Sequence, residues 1–401
     1  MTHALRPLPA QLPAQLPAQR AQDLPPFHVM ELLARAQALQ AQGRDIIHME
    51  VGEPDFPTAA PIIESAQRFL AGGRVDYTPA AGLPALREAI AQHYADKFGI
   101  TVSPSRILIT AGASGALMLA HAVLTNPGDA WLLPDPGYPC NRQFVRAFSG
   151  LPVSLPVDAA SNFQPTAATV DAAWTPQTRG LMVASPANPT GTLIAQDELA
   201  RIHTSLQQRG GTLIVDEIYQ GLVYEQAPQT ALSLPGADDM FIVNSFSKYF
   251  GMTGWRLGWL VAPERYTRDL EKLAQHYTIC APTPAQHAAL AAFQPDTTTI
   301  LEARRAEFAE RRKVLLAGLN ELGFKVPATP QGAFYVWADV SGICEDSAQL
   351  AHRLLEEAGV ATTPGIDFVE SDGKRWLRLA YTTDVARIRE ALERMRNGRL
   401  S

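Results

Sequence analysis

Lysine is the one common side chain that condenses with an aldehyde to give a Schiff base. Lys248 stands in the run Ser245-Phe246-Ser247-Lys248-Tyr249-Phe250-Gly251-Met252-Thr253-Gly254-Trp255-Arg256-Leu257-Gly258, among hydroxyls and small residues. The planar donor fork of Arg256, with the hydroxyls of Ser245 and Ser247, suits a phosphate. A second group of anion donors is expected in Thr110-Ala111-Gly112-Ala113-Ser114-Gly115-Ala116. There small residues follow a strand and open a helix, so the backbone N–H groups of Ala113 and Ser114 are free to meet an anion. Asp216 ends the apolar run Leu213-Ile214-Val215, where a carboxylate is costly unless it is paired. Arg378 alternates with apolar residues in Trp376-Leu377-Arg378-Leu379-Ala380. That pattern buries it or turns it to a cleft, where it demands an anion, and a carboxylate matches its fork with two bonds. A lysine beside a phosphate cradle points to an aldehyde that carries a phosphate, which is pyridoxal 5'-phosphate (PLP).

These residues need a frame. Apolar spacing predicts helices over 30–42, 83–98, 113–124 and 138–148, and strands over 45–51, 106–110, 131–134, 181–184, 212–215 and 240–244. Alternating units of this kind build a mostly parallel sheet covered by helices. Such sheets place ligands beyond the carboxyl ends of their strands, and each chemical motif directly follows a predicted strand. A long charged helix over 300–322 is expected to lead into a second domain. That domain has strands at 334–338 and 376–380 and helices at 347–358 and 385–396.

The chain has 401 residues, 46% of them hydrophobic and 18% charged, with a formal net charge of -6. This is ordinary soluble globular composition, with room for a large domain and a smaller one. No block of five or six like charges is present, so nucleic acid and anionic membrane are not expected partners. The three cysteines, Cys140, Cys280 and Cys344, are far apart and without CxxC spacing. They argue against a disulfide framework or a zinc site and fit a reducing cytoplasm. No apolar run has the length that spans a bilayer. Leu-Pro-Ala-Gln occurs three times in tandem between Leu8 and Gln19. Repeated proline blocks helix and strand pairing, so residues 1–26 are expected to be a disordered tail.

From about residue 27 to 398 the chain resembles the class I/II PLP-dependent aminotransferases of fold type I, the aspartate aminotransferase superfamily. The lysine run, Asn188-Pro189-Thr190-Gly191, Asp216-Glu217-Ile218-Tyr219 and Gln331-Gly332-Ala333-Phe334-Tyr335 carry the likeness. The resemblance implies an α/β fold with a mostly parallel sheet of the seven-stranded type in a large PLP domain, and a smaller α+β domain. It divides the chain into an N-terminal segment, 27–50, packing with the small domain, a large domain, 51–300, and a small domain, 301–401. It implies Lys248 as the residue that carries the cofactor, Asp216 at the ring nitrogen, and Tyr219 and Asn188 at the ring oxygen. Tyr138 would stack on the ring. Ala113, Ser114, Ser245, Ser247 and Arg256 would hold the phosphate, with Tyr77 reaching the phosphate of a neighbouring subunit. Arg378, Gly52 and Asn188 would bind the substrate. The expected catalytic residues are Lys248, Asp216 and Tyr219, in a homodimer with shared active sites acting on an amino acid and a 2-oxo acid.

Other readings use the same residues. β-Elimination from cysteine conjugates runs on the same fold and is the main enzymatic alternative. A regulator with an idle cofactor domain would need a DNA-binding segment that the proline-rich tail cannot supply. A nucleotide-dependent dehydrogenase would show GxGxxG after the first strand, and none occurs. No motif flags a second cation for a dicarboxylate substrate, and Phe27 and Tyr77 are candidates for an apolar entrance. A neutral or aromatic amino donor is therefore expected, unless Arg305 or Arg142 of a neighbouring subunit enters the site.

Overall fold

Short strands rich in Val, Ile and Leu are buried when both faces of their sheet are covered. The computed structural model, which describes residues 17–25 and 27–398, is built on such a sheet. Its seven strands run in the order Ile107–Thr110, Gly258–Val261, Phe241–Ser245, Thr212–Asp216, Thr178–Ala184, Ala130–Asp135 and Leu151–Pro156. All neighbours pair in parallel except Gly258–Val261, which is antiparallel to the strands on both sides. Successive side chains of a strand point to opposite faces, and two cores result. Leu181, Val183, Leu213, Val215 and Ile242 enter one; Met182, Ile214, Phe241 and Val243 enter the other.

A second, antiparallel sheet joins Thr363–Pro364, Trp376–Ala380 and Tyr335–Asp339. The helices Pro295–Glu321, Ser347–Arg353 and Val385–Asn397 lie in the same part of the chain. The N-terminal segment is stitched to it. Ile47–His48 pairs with Val360–Ala361, the Met49 N–H bonds Ala361 O at 3.0 Å, and the Ala380 N–H bonds Met49 O at 2.7 Å.

Three expectations need correction. The strand expected over 45–51 shrinks to Ile47–His48, because Met49 turns its N–H and C=O to different strands. The helix expected over 138–148 begins only at Cys140, after the proline at its cap position. The helix expected over 347–358 is α-helical to Arg353 and then widens into a π-turn, Leu354–Ala358, ended by Gly359 with φ +66°. The two-residue strands Val360–Ala361 and Thr363–Pro364 were not expected, nor were two strands of the seven-stranded sheet. Leu151–Pro156 carries two prolines, tolerable only at a sheet edge, and Gly258–Val261 is short and opens on glycine. The expected tail falls largely outside the described residues; within 17–25, Gln19–Gln22 forms one helical turn.

Candidate active site

Asp216 is the last residue of its strand, paired in register with Ala184. Ser245 ends the next strand, and the strand Ile107–Thr110 runs into the helix Gly112–Leu124. The loop bearing Asn188 follows Ala184, and Tyr138 follows Asp135. These carboxyl ends frame a cavity of about 260 Å³ into which Gly52, Ala113, Ser114, Tyr138, Asn188, Asp216, Tyr219, Ser247, Lys248, Arg256 and Arg378 all reach.

Lys248 lies at its centre, its ammonium donating to Gly52 O. Burial pushes its pKa down to about 8, opposed by Glu53 and reinforced by Arg378 and Arg256. The lowered pKa leaves a minor share, about a tenth, as free amine at pH 7, far more than an ordinary lysine has; this is the form that attacks carbonyls and takes up protons. Burial raises the Asp216 carboxyl to about 6, against the Ile218 N–H and the charge of Lys248. A buried carboxylate held by one backbone N–H at 2.9 Å is a strong acceptor for a cationic N–H. Its neighbour Glu217 has a different task. It accepts from Thr230 Oγ1, the Ala231 N–H and Gln220 Nε2, and so ties down the loop behind the site.

One part of the cavity wall is built for an anion. The helix Gly112–Leu124 has no side-chain cap, so its first N–H groups are open. Arg256 faces it from a left-handed backbone, φ +52°. A Cβ on Gly112 would come 2.6 Å from Arg256 Nη2, and one on Gly258 would come 2.7 Å from the Gly112 carbonyl carbon. Both glycines are what lets helix start and arginine converge. Ser247 lines the cavity, whereas Ser245 stands behind it, its Oγ bonding Ser247 Oγ at 3.0 Å and Leu257 O at 3.1 Å.

Arg378 occupies the middle strand of the antiparallel sheet and is 4% exposed. Its Nη1 donates to Asn188 Oδ1 at 3.0 Å, which turns the Asn188 amide nitrogen away from it. Nη2 donates to Glu50 O and to Thr363 Oγ1. The guanidinium is stacked between the rings of Tyr335 and Phe368, at 4.4 and 4.7 Å. Its Nε has no partner, and no carboxylate among the described residues pairs with it. An arginine so placed is a receptor for a carboxylate.

Tyr335, the last residue of Gln331-Gly332-Ala333-Phe334-Tyr335, also lines the cavity, although its residue type alone does not mark it as a site residue. Its hydroxyl lies 2.8 Å from that of Tyr219. A Cβ on Gly52 would fall 1.8 Å from the same hydroxyl. Gly52 is thus pinned between Lys248 and Tyr335. Gly52→Ala should displace Tyr335 and cut kcat/KM roughly 100-fold, since misplacement of about an ångström near reacting groups has that scale. Steady-state kinetics beside a melting curve checks this. Unchanged kinetics would show the contact to be slack. Val29, Met30, Leu117 and Phe144 also line the cavity without a sequence signal, and Thr253 joins them from the lysine run. Tyr77 is 78% exposed and stands away from the cavity. Arg142 is engaged by Asp135 and Glu370, and Arg305 by Glu302 and Val223 O.

The model for aminotransferase class I and II matches residues 44–395. A valine–pyruvate aminotransferase of Mycobacterium tuberculosis is 40% identical over 93% of this chain and 96% of its own length. An aspartate aminotransferase of Thermotoga maritima is 34% identical over 94% and 97%. Among solved structures, an aminotransferase from Mycobacterium tuberculosis superposes with a TM-score of 0.92 at 40% identity, covering 95% of this chain and 98% of that one. The Thermus thermophilus aspartate aminotransferase with maleate gives 0.90 at 34%, covering 96% and 100%. Among the described residues no helix is long and apolar enough to cross a membrane. The match over nearly the whole chain and the shared fold agree: this chain belongs to the class I and II aminotransferases.

Proposed function

We propose that the cavity holds PLP and moves the α-amino group of a neutral, apolar amino acid to a 2-oxo acid by ping-pong chemistry. The observation that carries this is one cavity with three separated chemistries. It has an anion cradle, a buried acceptor, and a largely enclosed lysine that feels the charges of both Arg256 and Asp216. The donor set fits the cofactor. The Ala113 and Ser114 N–H groups, Ser247 and Arg256 would hold its phosphate, with Ser245 keeping Ser247 in place. Asp216 would hold a protonated ring nitrogen, Tyr219 and Asn188 would donate to the ring oxygen, and Tyr138 would cover the ring. Bound there, PLP supplies a reactive aldehyde and an electron-accepting ring. The chain does the rest. Arg378 orients the substrate α-carboxylate, and Lys248 Nζ takes the α-proton and returns it during transfer. Tyr335 holds the Tyr219 hydroxyl.

The apolar residues Phe27, Val29, Met30, Leu117 and Phe144 on the cavity favour a neutral side chain. So do the internal partners of Arg142 and Arg305 and the name of the 40%-identical relative. Borohydride applied to the yellow protein should fix the cofactor to Lys248, and a label mapped to any other lysine would sink the assignment. Among amino donors offered with pyruvate and 2-oxoglutarate, alanine, methionine and phenylalanine should exceed aspartate in kcat/KM; the reverse order would refute the apolar reading. Ammonia release in step with turnover would favour β-elimination.

We also infer a homodimer. Val75, Tyr77, Tyr277 and Ile279 are 51%, 78%, 54% and 51% exposed. Thr283 Oγ1 to Asp76 O and Gln286 Nε2 to Thr78 Oγ1, both 2.9 Å, hold the loop that would carry Tyr77 to the neighbour's phosphate. Free Cys140, Cys280 and Cys344 fit a cytoplasmic setting. The division into a segment 27–50, a large domain 51–300 and a small domain 301–401 is supported by the separate antiparallel sheet and by the pairing of Ile47–His48 with Val360–Ala361.

A further inference from the structure

The helix His28–Ala41 has no side-chain cap of its own; Phe27 stands at the cap position and contributes none. The acceptor comes from 339 residues away. Asp367, 8% exposed, accepts from the His28 N–H at 3.1 Å and the Val29 N–H at 2.9 Å, and lies 2.7 Å from His28 Nδ1. A carboxylate across the first N–H groups of a helix satisfies orphan donors and meets the positive end of the helix dipole. The turn it fixes carries Phe27, Val29 and Met30 to the cavity. Met30 is 53% exposed there, a large apolar side chain left at the mouth. The residue after Asp367 is Phe368, whose ring lies 4.7 Å from the Arg378 guanidinium. One dipeptide thus touches both the carboxylate receptor and the support of the apolar wall.

We propose that Asp367 is a positioning residue for side-chain specificity: it holds the first turn of the N-terminal helix so that Phe27, Val29 and Met30 form one wall of the substrate side-chain pocket. The proposal rests on the transamination reading above. Alanine carries a single methyl group, too short to use that wall, whereas methionine and phenylalanine reach it. Loss of the tether therefore discriminates by substrate size. Contact with such a wall is made alike in the ground and transition states, so its loss appears in KM more than in kcat.

The test measures alanine, methionine and phenylalanine as donors for the holoenzyme and for Asp367→Ala, Asp367→Asn and the double variant Phe27→Ala/Met30→Ala. Asp367→Ala should lower kcat/KM for methionine and phenylalanine about tenfold, mainly through KM, and for alanine less than about threefold. Asp367→Asn keeps one acceptor oxygen and should fall between. The double variant should show the same selective loss with the tether intact, and adding Asp367→Ala to it should change little more. Amide hydrogen exchange over residues 28–31 should speed up in Asp367→Ala and stay unchanged in the double variant. An equal loss on all three donors, or unchanged exchange, overturns the proposal and leaves transamination standing. A double variant without selective loss overturns it too, even where Asp367→Ala fails to fold. A wild-type holoenzyme inactive on every donor overturns the functional reading itself, and the proposal with it.

Discussion

Lys248→Ala should lower kcat by roughly 10²- to 10⁴-fold, the range that a positioned proton carrier contributes. The phosphate contacts at Ala113, Ser114, Ser247 and Arg256 remain, so the variant should still bind the cofactor. Stability should move the other way. The Lys248 pKa of about 8 lies below its ordinary 10.5. Below pH 8 the lysine is charged both folded and unfolded, and the cost of burying that charge is fully present. Between about 8 and 10.5 the unfolded chain binds more protons, so stability rises with pH across that window. The alanine variant, stripped of cofactor, should therefore be more stable than wild type below pH 8. The gain is on the order of 2 kcal/mol once the lysine's partial exposure is allowed for, and it should vanish toward the upper end of the window. Calorimetry of both cofactor-free proteins at several pH values checks this, beside single-turnover absorbance. A variant with near-normal proton transfer would remove Lys248 from the chemistry.

Asp216→Asn should cost roughly 10³-fold in turnover, because a neutral amide cannot hold a cationic ring nitrogen in a buried site. Its effect on stability has the opposite pH dependence. Here the folded pKa, about 6, lies above the ordinary 3.8, so the folded state binds more protons between these values. Stability of the cofactor-free protein falls as pH rises through that window, and the burial cost is complete above pH 6. The asparagine variant should gain on the order of 2 kcal/mol there and nothing below about pH 4. Half-reaction rates with alanine give the kinetic side. A rate within a few-fold of wild type would assign Asp216 a structural role.

The sequence made the chemistry more legible than the architecture. Lys248, Asp216, Asn188, Tyr219 and Arg256 sit in strings whose residue types are demanded locally, and all five reach the same cavity. The parallel strands were readable because each is a short, doubly buried apolar run. Leu151–Pro156 was not, since at the sheet edge nothing enforces an apolar run. Tyr335 was hidden for another reason. Its importance lies in a contact with the Tyr219 hydroxyl 116 residues away, and in the space left by Gly52. Asp367 was hidden likewise, because a helix cap supplied from a remote turn leaves no mark beside the helix it caps. Ser245 shows the limit of a motif: the string places it near the anion cradle, but its hydroxyl is spent on Ser247 and Leu257.

The antiparallel course of Gly258–Val261 bears on how the site comes together during synthesis. Because this strand turns straight back beside Phe241–Ser245, Ser245 and Leu257 meet across only 12 residues. Closing so short a loop costs little chain entropy. The loop that carries Lys248 and Arg256 is thus closed by neighbours in the chain as soon as that stretch has left the ribosome, and the partners it then meets, Gly52 and Gly112, are already made. Arg378 must wait. Its bond to Glu50 O spans 328 residues, and the clasp of Asp367 on the N-terminal helix spans 339. The lysine end of the site belongs to the early, local part of assembly, and the substrate end is completed only when the two ends of the chain find each other.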